Sequence, residues 1–119
     1  MSLCIAAGGK LLALAATSFT LSWTHSVEKT RWEEAWALTE AGLVLTAARV
    51  EGSGAGMEPG DDAVFDGRGW SWTPRLPPQE RLVLGDSGKA GTWRFCAAEA
   101  CRVLGGSGAG PVAIAACPD

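Results

Sequence analysis

The 119-residue chain has no tyrosine, a single histidine and little charge, and these shortages exclude some classes of function. Asp, Glu, Lys and Arg together make up 19% of the residues, and the formal net charge is −3. A nucleic-acid-binding domain needs a basic surface to neutralise phosphates, so the composition argues against one. No run of like charges is present that would form a charged tail or a polybasic membrane patch.

Long apolar runs and helical periodicity are also missing. The apolar segment Leu11–Ala16 is shorter than the ~7–15 residues of a signal-peptide core, and the segment before it carries only Lys10 as a cation. No stretch approaches the ~20 apolar residues of a membrane span, so we predict none. We instead predict two short strands, Ser2–Ala7 and Leu11–Ala15, joined by a glycine-containing turn.

The four cysteines are too few and too scattered to suggest a metal site. No second close Cys or His pair completes a tetrahedral set, so we predict neither a metal nor another cofactor. Cys96 and Cys101 flank four residues, the length of a hairpin loop, which would place them on facing strands. With Cys4 and Cys117, the even count permits two disulfides in an exported protein, while buried free thiols are the alternative.

The clearest pattern that is present is a two-residue alternation between residues 19 and 27. One parity reads Phe, Leu, Trp, His, Val and the other reads Thr, Ser, Thr, Ser. Because successive strand residues point to opposite faces, this predicts a half-buried strand with His25 on its apolar face. The next alternating run is Trp32–Thr39, and symmetric closure of the turn pairs His25 with Glu34 and Trp23 with Trp36.

A third strand, Leu43–Val50, extends this hairpin into a meander. Pairing Leu38 with Leu43 sets Trp32 opposite Arg49. The sequence therefore predicts that His25, Glu34 and Arg49 share one face near one end of the sheet.

The rest of the chain predicts more short strands. Turn signals recur at near-regular spacing, which is typical of a β-barrel or sandwich. We predict a single all-β, meander-rich antiparallel domain of about eight strands over residues 1–104. Residues 105–119 are rich in Gly and Ala and are predicted to form a flexible tail.

The candidate ligand site combines the strand pair with the glycine-rich loop Gly52–Gly56. A carboxylate would orient and tune an imidazole for base chemistry or ligand contact, and glycine N–H groups can cradle an anion. The candidate ligand-binding residues are His25, Glu34, Arg49, Lys29, Ser53 and Gly54. The alternative is structural: a buried histidine satisfied by a carboxylate, beside an ordinary loop that needs positive φ angles.

A hydrolase is a remote alternative, and we predict no catalytic residues. Ser26 follows His25 directly, and adjacent strand residues point to opposite faces. The sequence contains no G-x-S-x-G nucleophile elbow and no P-loop ending in Lys-Ser or Lys-Thr.

Residues 23–34 read W-T-H-S-V-E-K-T-R-W-E-E, and G-S-G-A-G-M-E-P and W-R-F-C follow at residues 52–59 and 93–96. With these motifs the chain resembles, from Leu3 to Leu104, a small bacterial family of unknown function whose genes are often found beside TAXI-type TRAP transporters. The resemblance implies an accessory role near a carboxylate-type solute transporter, and many relatives look exported or membrane-anchored. It implies no activity.

We therefore predict a non-enzymatic accessory or interaction domain associated with a TRAP-type transport system. Its expected partner is a transporter component or the solute-binding protein. The alternative function is binding of a small carboxylate by the His, Glu and Arg cluster. The resemblance suggests the cell envelope or periplasm, and the sequence itself leaves a cytoplasmic location open.

Overall fold

A computed structural model describes residues 1–24, 30–52, 62–85, 92–106 and 110–118. These ranges hold eleven strands and no helix, hence no helix able to cross a membrane. The strands are β1 (Leu3–Ala7), β2 (Lys10–Leu14), β3 (Ser18–Thr24), β4 (Arg31–Thr39), β5 (Gly42–Glu51), β6 (Val64–Phe65), β7 (Gly69–Trp72), β8 (Arg81–Leu84), β9 (Trp93–Ala97), β10 (Ala100–Leu104) and β11 (Val112–Ala116).

The strands form two antiparallel sheets that pack as a sandwich. One sheet has four strands in the order β2-β1-β11-β8, and the other has seven in the order β10-β9-β3-β4-β5-β7-β6. The predicted all-β class is confirmed, with an open sandwich rather than a closed barrel.

The core lies between the two sheets and follows the alternation of the sequence. Phe95 is fully buried at the centre of β9, and its ring centroid lies 5.1 Å from that of Phe19 on β3. The other buried apolar residues of this cluster are Leu3, Ile5, Leu21, Trp36, Leu38, Leu43, Leu45, Leu84, Ala97, Leu104, Val112 and Ile114. Both sheets contribute, so each buries one face against the other.

The first hairpin is the one predicted. Ala7 and Lys10 close a two-residue turn in which Gly8 and Gly9 have φ angles of 56° and 78°. Two successive positive φ angles define the turn that best matches strand twist, and glycine adopts them without steric cost.

The two sheets are connected along one side of the sandwich. Gln79, just before β8, exchanges two backbone hydrogen bonds with Leu43 of β5: the Leu43 N–H donates at 2.7 Å and the Gln79 N–H at 2.8 Å. A Cβ on Gly42 would lie 2.6 Å from the Gln79 carbonyl oxygen, so this close approach requires glycine. Among the described strands, β2 and β8 are the edges of the four-stranded sheet, and β10 and β6 are the edges of the seven-stranded sheet.

The last strand lies within the predicted tail of residues 105–119. β11 pairs with β1 on one side and β8 on the other, and Val112 and Ile114 are buried. Cys117, directly after β11, forms a disulfide with Cys4 of β1. A flexible tail therefore does not describe Val112–Ala116. The partner strand is more than a hundred residues away, and local composition does not reveal such pairing.

Candidate functional site

The β3–β4 hairpin does not have the predicted register. Trp23 lies opposite Trp32, and Glu34 lies opposite Leu21 instead of His25. The predicted pairings of His25 with Glu34 and of Trp23 with Trp36 are therefore wrong. β3 ends at Thr24 and β4 begins at Arg31, and these two residues lie opposite each other. The register differs by an even number of residues, so the apolar residues still share one face.

The β4–β5 pair begins in the predicted register and then changes. Leu38 faces Leu43 as predicted, but a β-bulge at Ala35/Trp36 shifts the following pairs by one residue. Arg49 consequently lies opposite Glu33 rather than Trp32. A one-residue shift turns a side chain to the other face of the sheet. The predicted grouping of Arg49 with Glu34 on one face is therefore wrong.

Arg49 forms an ion pair with Asp66 on the outer face of the seven-stranded sheet. Its Nη1 donates to Asp66 Oδ2 at 2.7 Å and to Ser71 Oγ at 3.2 Å. Asp66 also accepts the backbone N–H groups of Arg68 and Gly69, each at 2.9 Å. The N–H of Arg68, the Arg49 guanidinium and the N–H of Gly69 together lower the pKa of Asp66 to about 2. Through Asp66, Arg49 of β5 stabilises the turn between β6 and β7.

Glu34 is a half-buried carboxylate on the inner, apolar face of the same sheet. Its Oε1 accepts a 3.1 Å hydrogen bond from Trp36 Nε1. Burial raises the pKa of Glu34, and the bond from Trp36 opposes this only in part. No cation lies within ion-pair distance of Glu34 among the residues that the structure describes.

Glu34→Gln is expected to stabilise the fold at pH 7 by about 0.5 kcal/mol and to have little effect near pH 4. The folded-state pKa lies above the ordinary value of 4.5, so the ionised carboxylate destabilises the fold increasingly as the pH rises above 4.5. Glutamine keeps the acceptor for Trp36. Urea unfolding at the two pH values measures the difference, with Glu33→Gln on the outer face as the matched control. An equal gain at both pH values would contradict the assignment.

The other predicted ligand-binding residues, His25, Lys29, Ser53 and Gly54, lie outside the described residues. Their role stays a prediction. Among the described residues, no group of His, Cys, Asp and Glu side chains is arranged to hold a metal ion.

The structure shows an apolar row across all seven strands that the sequence alone did not reveal. The row consists, strand by strand, of Leu104, Trp93, Trp23, Trp32, Val50, Trp70 and Phe65. The ring centroids of Trp23 lie 4.9 Å from Trp93 and 6.3 Å from Trp32. The row faces inward, and Trp23 and Trp93 pack against the core. The buried Nε1 atoms of Trp32 and Trp70 have no hydrogen-bond partner in the described part of the chain.

The outer face of the seven-stranded sheet mixes polar side chains with Ala, Val and Cys, and two concavities lie on the part of it that the structure describes. The wider one, about 480 Å³, is lined mainly by small side chains around Thr20 and the Cys96–Cys101 disulfide. The narrower one, about 220 Å³, is lined by Ser22, Trp23, Thr24, Arg31, Thr92 and Arg94. It therefore combines two guanidinium groups with three hydroxyl groups.

The outer face of the four-stranded sheet is almost entirely apolar. One cross-strand row reads Leu11, Ala6, Ala113, Val83, and the next reads Ala13, Cys4, Ala115, Arg81. Leu11 and Val83, at the two edges of the first row, are 68% and 59% exposed. A concavity of about 410 Å³ adjoins this row beside the β1–β2 turn. We call these eight residues the alanine face.

The comparisons with known proteins identify a family without a described function. No curated protein and no solved structure matches the chain. The model of the family described as a domain of unknown function, DUF1850, matches residues 19–104. The match includes the seven-stranded sheet and β8, while β1, β2 and β11 lie outside it. Because the match spans most of the chain, this protein belongs to the DUF1850 family.

Proposed function

We propose that this chain is a non-enzymatic interaction module that binds a partner protein through the alanine face. We propose further that the partner belongs to a TRAP-type transport system, as a transporter component or as its solute-binding protein. The resemblance of residues 23–34, 52–59 and 93–96 supports this second step.

The observation that carries the proposal is the apolar character of both faces of the four-stranded sheet. An antiparallel sheet in a sandwich normally turns one face to the core and a polar face to water. The seven-stranded sheet follows this rule in part: Ser, Thr, Arg and Glu side chains lie outside, together with apolar residues such as Ala37, Val44 and Val103. The alanine face carries one charged residue, Arg81, among eight. Its exposed leucine and valine favour a surface that a partner covers.

The size and shape of the alanine face suit a protein partner. Four strands about 4.8 Å apart and four to five residues long present roughly 300 Å² of flat area. That matches the apolar patches of roughly 300–600 Å² that are often functional on small proteins. Small alanine side chains let a partner backbone approach closely, and the adjoining concavity has room for an inserted side chain.

Strand β2 extends the proposed surface through its open edge. Ala7 and Lys10 flank a two-residue turn, so they form a hydrogen-bonded pair, and such pairs alternate along the hairpin. Leu11 and Ala13 therefore direct their backbone N–H and C=O groups away from β1. An extended partner segment can pair with these groups by strand addition while its side chains contact the alanine face.

The two disulfides support a location outside the reducing cytoplasm. Cys4–Cys117 and Cys96–Cys101 account for all four cysteines of the chain. Such bonds persist mainly in oxidising compartments. A periplasmic or envelope location is consistent with a partner that is a solute-binding protein.

The test is direct binding between the purified oxidised chain and the solute-binding protein of a TAXI-type TRAP system from the same genome, measured by biolayer interferometry. The double variant Leu11→Glu/Val83→Glu is expected to weaken binding by about 100-fold, because two carboxylates must be desolvated in the interface. Val103→Glu is the matched control, since Val103 is 67% exposed on the other sheet. It is expected to leave binding unchanged.

Two results would overturn the proposal. One is the absence of binding to both the solute-binding protein and the transporter subunits. The other is binding that Leu11→Glu/Val83→Glu and Val103→Glu weaken equally. Flotation with phosphatidylcholine vesicles distinguishes a membrane-binding face: co-flotation that the double variant abolishes would assign the alanine face to lipid instead.

A further inference from the structure

We propose that the narrower concavity on the outer face of the seven-stranded sheet binds a small oxyanion, either a carboxylate or a phosphate group. We call it the two-arginine site. It is defined by Ser22, Thr24, Arg31, Thr92 and Arg94. It lies on the other sheet from the alanine face and does not depend on the function proposed for that face.

Strand register places the charged and hydroxyl groups on one face. Arg94 of β9 lies opposite Ser22 of β3, and Arg31 of β4 lies opposite Thr24. Ser22 and Thr24 are two residues apart on one strand, so they share a face, as do Thr92 and Arg94. The two arginines therefore flank β3 from its two neighbouring strands, with the hydroxyl groups between and beside them.

The Arg94 guanidinium has no carboxylate partner in the described part of the chain. Its Nη2 makes one weak contact, with Cys101 Sγ at 3.6 Å. A sulfur atom of a disulfide is a poor acceptor, and a guanidinium offers five N–H donors. Most of the hydrogen-bonding capacity of Arg94 therefore remains for a ligand, and a guanidinium binds carboxylate or phosphate best in bidentate geometry.

Ser22 supplies a buried hydroxyl to the two-arginine site. It is 7% exposed and is the buried polar residue among those that the structure describes. Its Oγ accepts a long hydrogen bond from Arg31 Nη2 at 3.5 Å, and a hydroxyl that accepts one bond can also donate its O–H to a ligand.

The volume of the site limits the ligand. About 220 Å³ is below the ~300–1,000 Å³ of an ordinary ligand pocket, so the site suits a small anion or the charged end of a larger molecule.

Glu33 competes with an oxyanion ligand for the Arg31 guanidinium. Its Oε2 lies 3.5 Å from Arg31 Nη2, and both side chains are 44% exposed. An exposed ion pair of this length is weak, so an incoming oxyanion can displace it. Removing the Glu33 charge should therefore strengthen anion binding by releasing Arg31.

The experiment titrates the oxidised chain with sodium succinate, acetate and inorganic phosphate in separate calorimetry runs up to about 10 mM, at fixed ionic strength. Arg31→Ala and Arg94→Ala are each expected to weaken binding about tenfold or more, because each removes a charged hydrogen-bonding group. Arg81→Ala, on the other sheet, is the matched control and should change affinity little. Comparing succinate with phosphate shows which oxyanion the site prefers.

The Glu33 variant separates a specific site from general surface charge. Glu33→Gln is expected to strengthen binding two- to threefold, on the order of one released surface ion pair. Glu51→Gln changes the net charge equally at the end of β5 and should have little effect. No heat with any of the three anions would overturn the proposal, and so would equal losses in the Arg31, Arg94 and Arg81 variants. Leu11→Glu/Val83→Glu should leave anion binding intact, which keeps this test independent of the alanine face.

Discussion

Replacing Cys4 and Cys117 together by alanine is expected to lower the free energy of unfolding by about 4 to 5 kcal/mol. The bridge spans 113 residues, so cutting it returns to the unfolded chain the large loop-closure entropy that the bridge removes. The loss is comparable with the whole stability of many small domains. Urea unfolding of the oxidised proteins, followed by tryptophan fluorescence, measures it.

The second disulfide is the matched control for this prediction. Cys96 and Cys101 are five residues apart on neighbouring strands of one hairpin. The same chain-entropy argument gives about 2 kcal/mol for so short a loop, so Cys96→Ala/Cys101→Ala should be clearly less destabilising. Equal losses for the two pairs would show that loop length does not determine the contribution of these bridges.

The effect of the long bridge also bears on how the sandwich is assembled. β1 and β11 are neighbours at the centre of the four-stranded sheet, and the Cys117 N–H donates to the Ser2 carbonyl at 2.9 Å. Both strands lie outside the residues that match the DUF1850 family. In this chain the two ends together complete the second sheet, and the disulfide holds them in place.

Local patterns in the sequence were sufficient for the fold class and for most of the strands, but they did not predict β11. The alternation in residues 19–24 and 32–39 predicts β3 and β4, and glycines predict the β1–β2 turn. The Cys96–Cys101 spacing predicts the last hairpin, whose turn residues Ala98 and Glu99 have φ angles of 52° and 64°. No glycine or asparagine marks that turn, so only the cysteine spacing indicated it.

The pairing registers of β3 with β4 and of β4 with β5 differ from those predicted from the sequence. The predicted grouping of His25, Glu34 and Arg49 depended on these registers. Pairing apolar residues does not distinguish Trp23 opposite Trp36 from Trp23 opposite Trp32, because a shift by an even number of residues, here four, keeps every side chain on its face. The bulge at Ala35/Trp36 has no strong sequence signal, since its neighbours are alanines and a threonine. It nevertheless moves Arg49 to the outer face, away from Glu34.

The surfaces proposed for binding require the order of strands in each sheet. The alanine face joins residues from both ends of the chain with two from β8, and no local pattern connects them. The alanine-rich end of the chain is unremarkable as sequence, and only its place between β1 and β8 makes its outer residues part of a surface. Likewise, Arg31 and Arg94 are brought together only because β9 and β4 are the two neighbours of β3.

Phe95→Ala is expected to lower the free energy of unfolding by about 3 to 5 kcal/mol, a loss similar in size to that from removing the Cys4–Cys117 bridge. Phe95 is fully buried on β9, stacks on Phe19 and lies beside Leu21 in the sheet register. Removing its ring leaves a cavity where the two sheets meet, and the strands on either side are fixed by hydrogen bonds and cannot close it.

Phe65→Ala makes the same chemical change at a different depth and serves as the control. Phe65 lies on the two-residue edge strand β6, is 46% exposed and contacts Trp70 with ring centroids 5.1 Å apart. Its loss should be about 1 kcal/mol, because less apolar area returns to water and no enclosed cavity forms. Unfolding in urea compares both variants with the parent chain. If Phe95→Ala costs no more than Phe65→Ala, then the apolar space between the sheets is not the core that stabilises this fold.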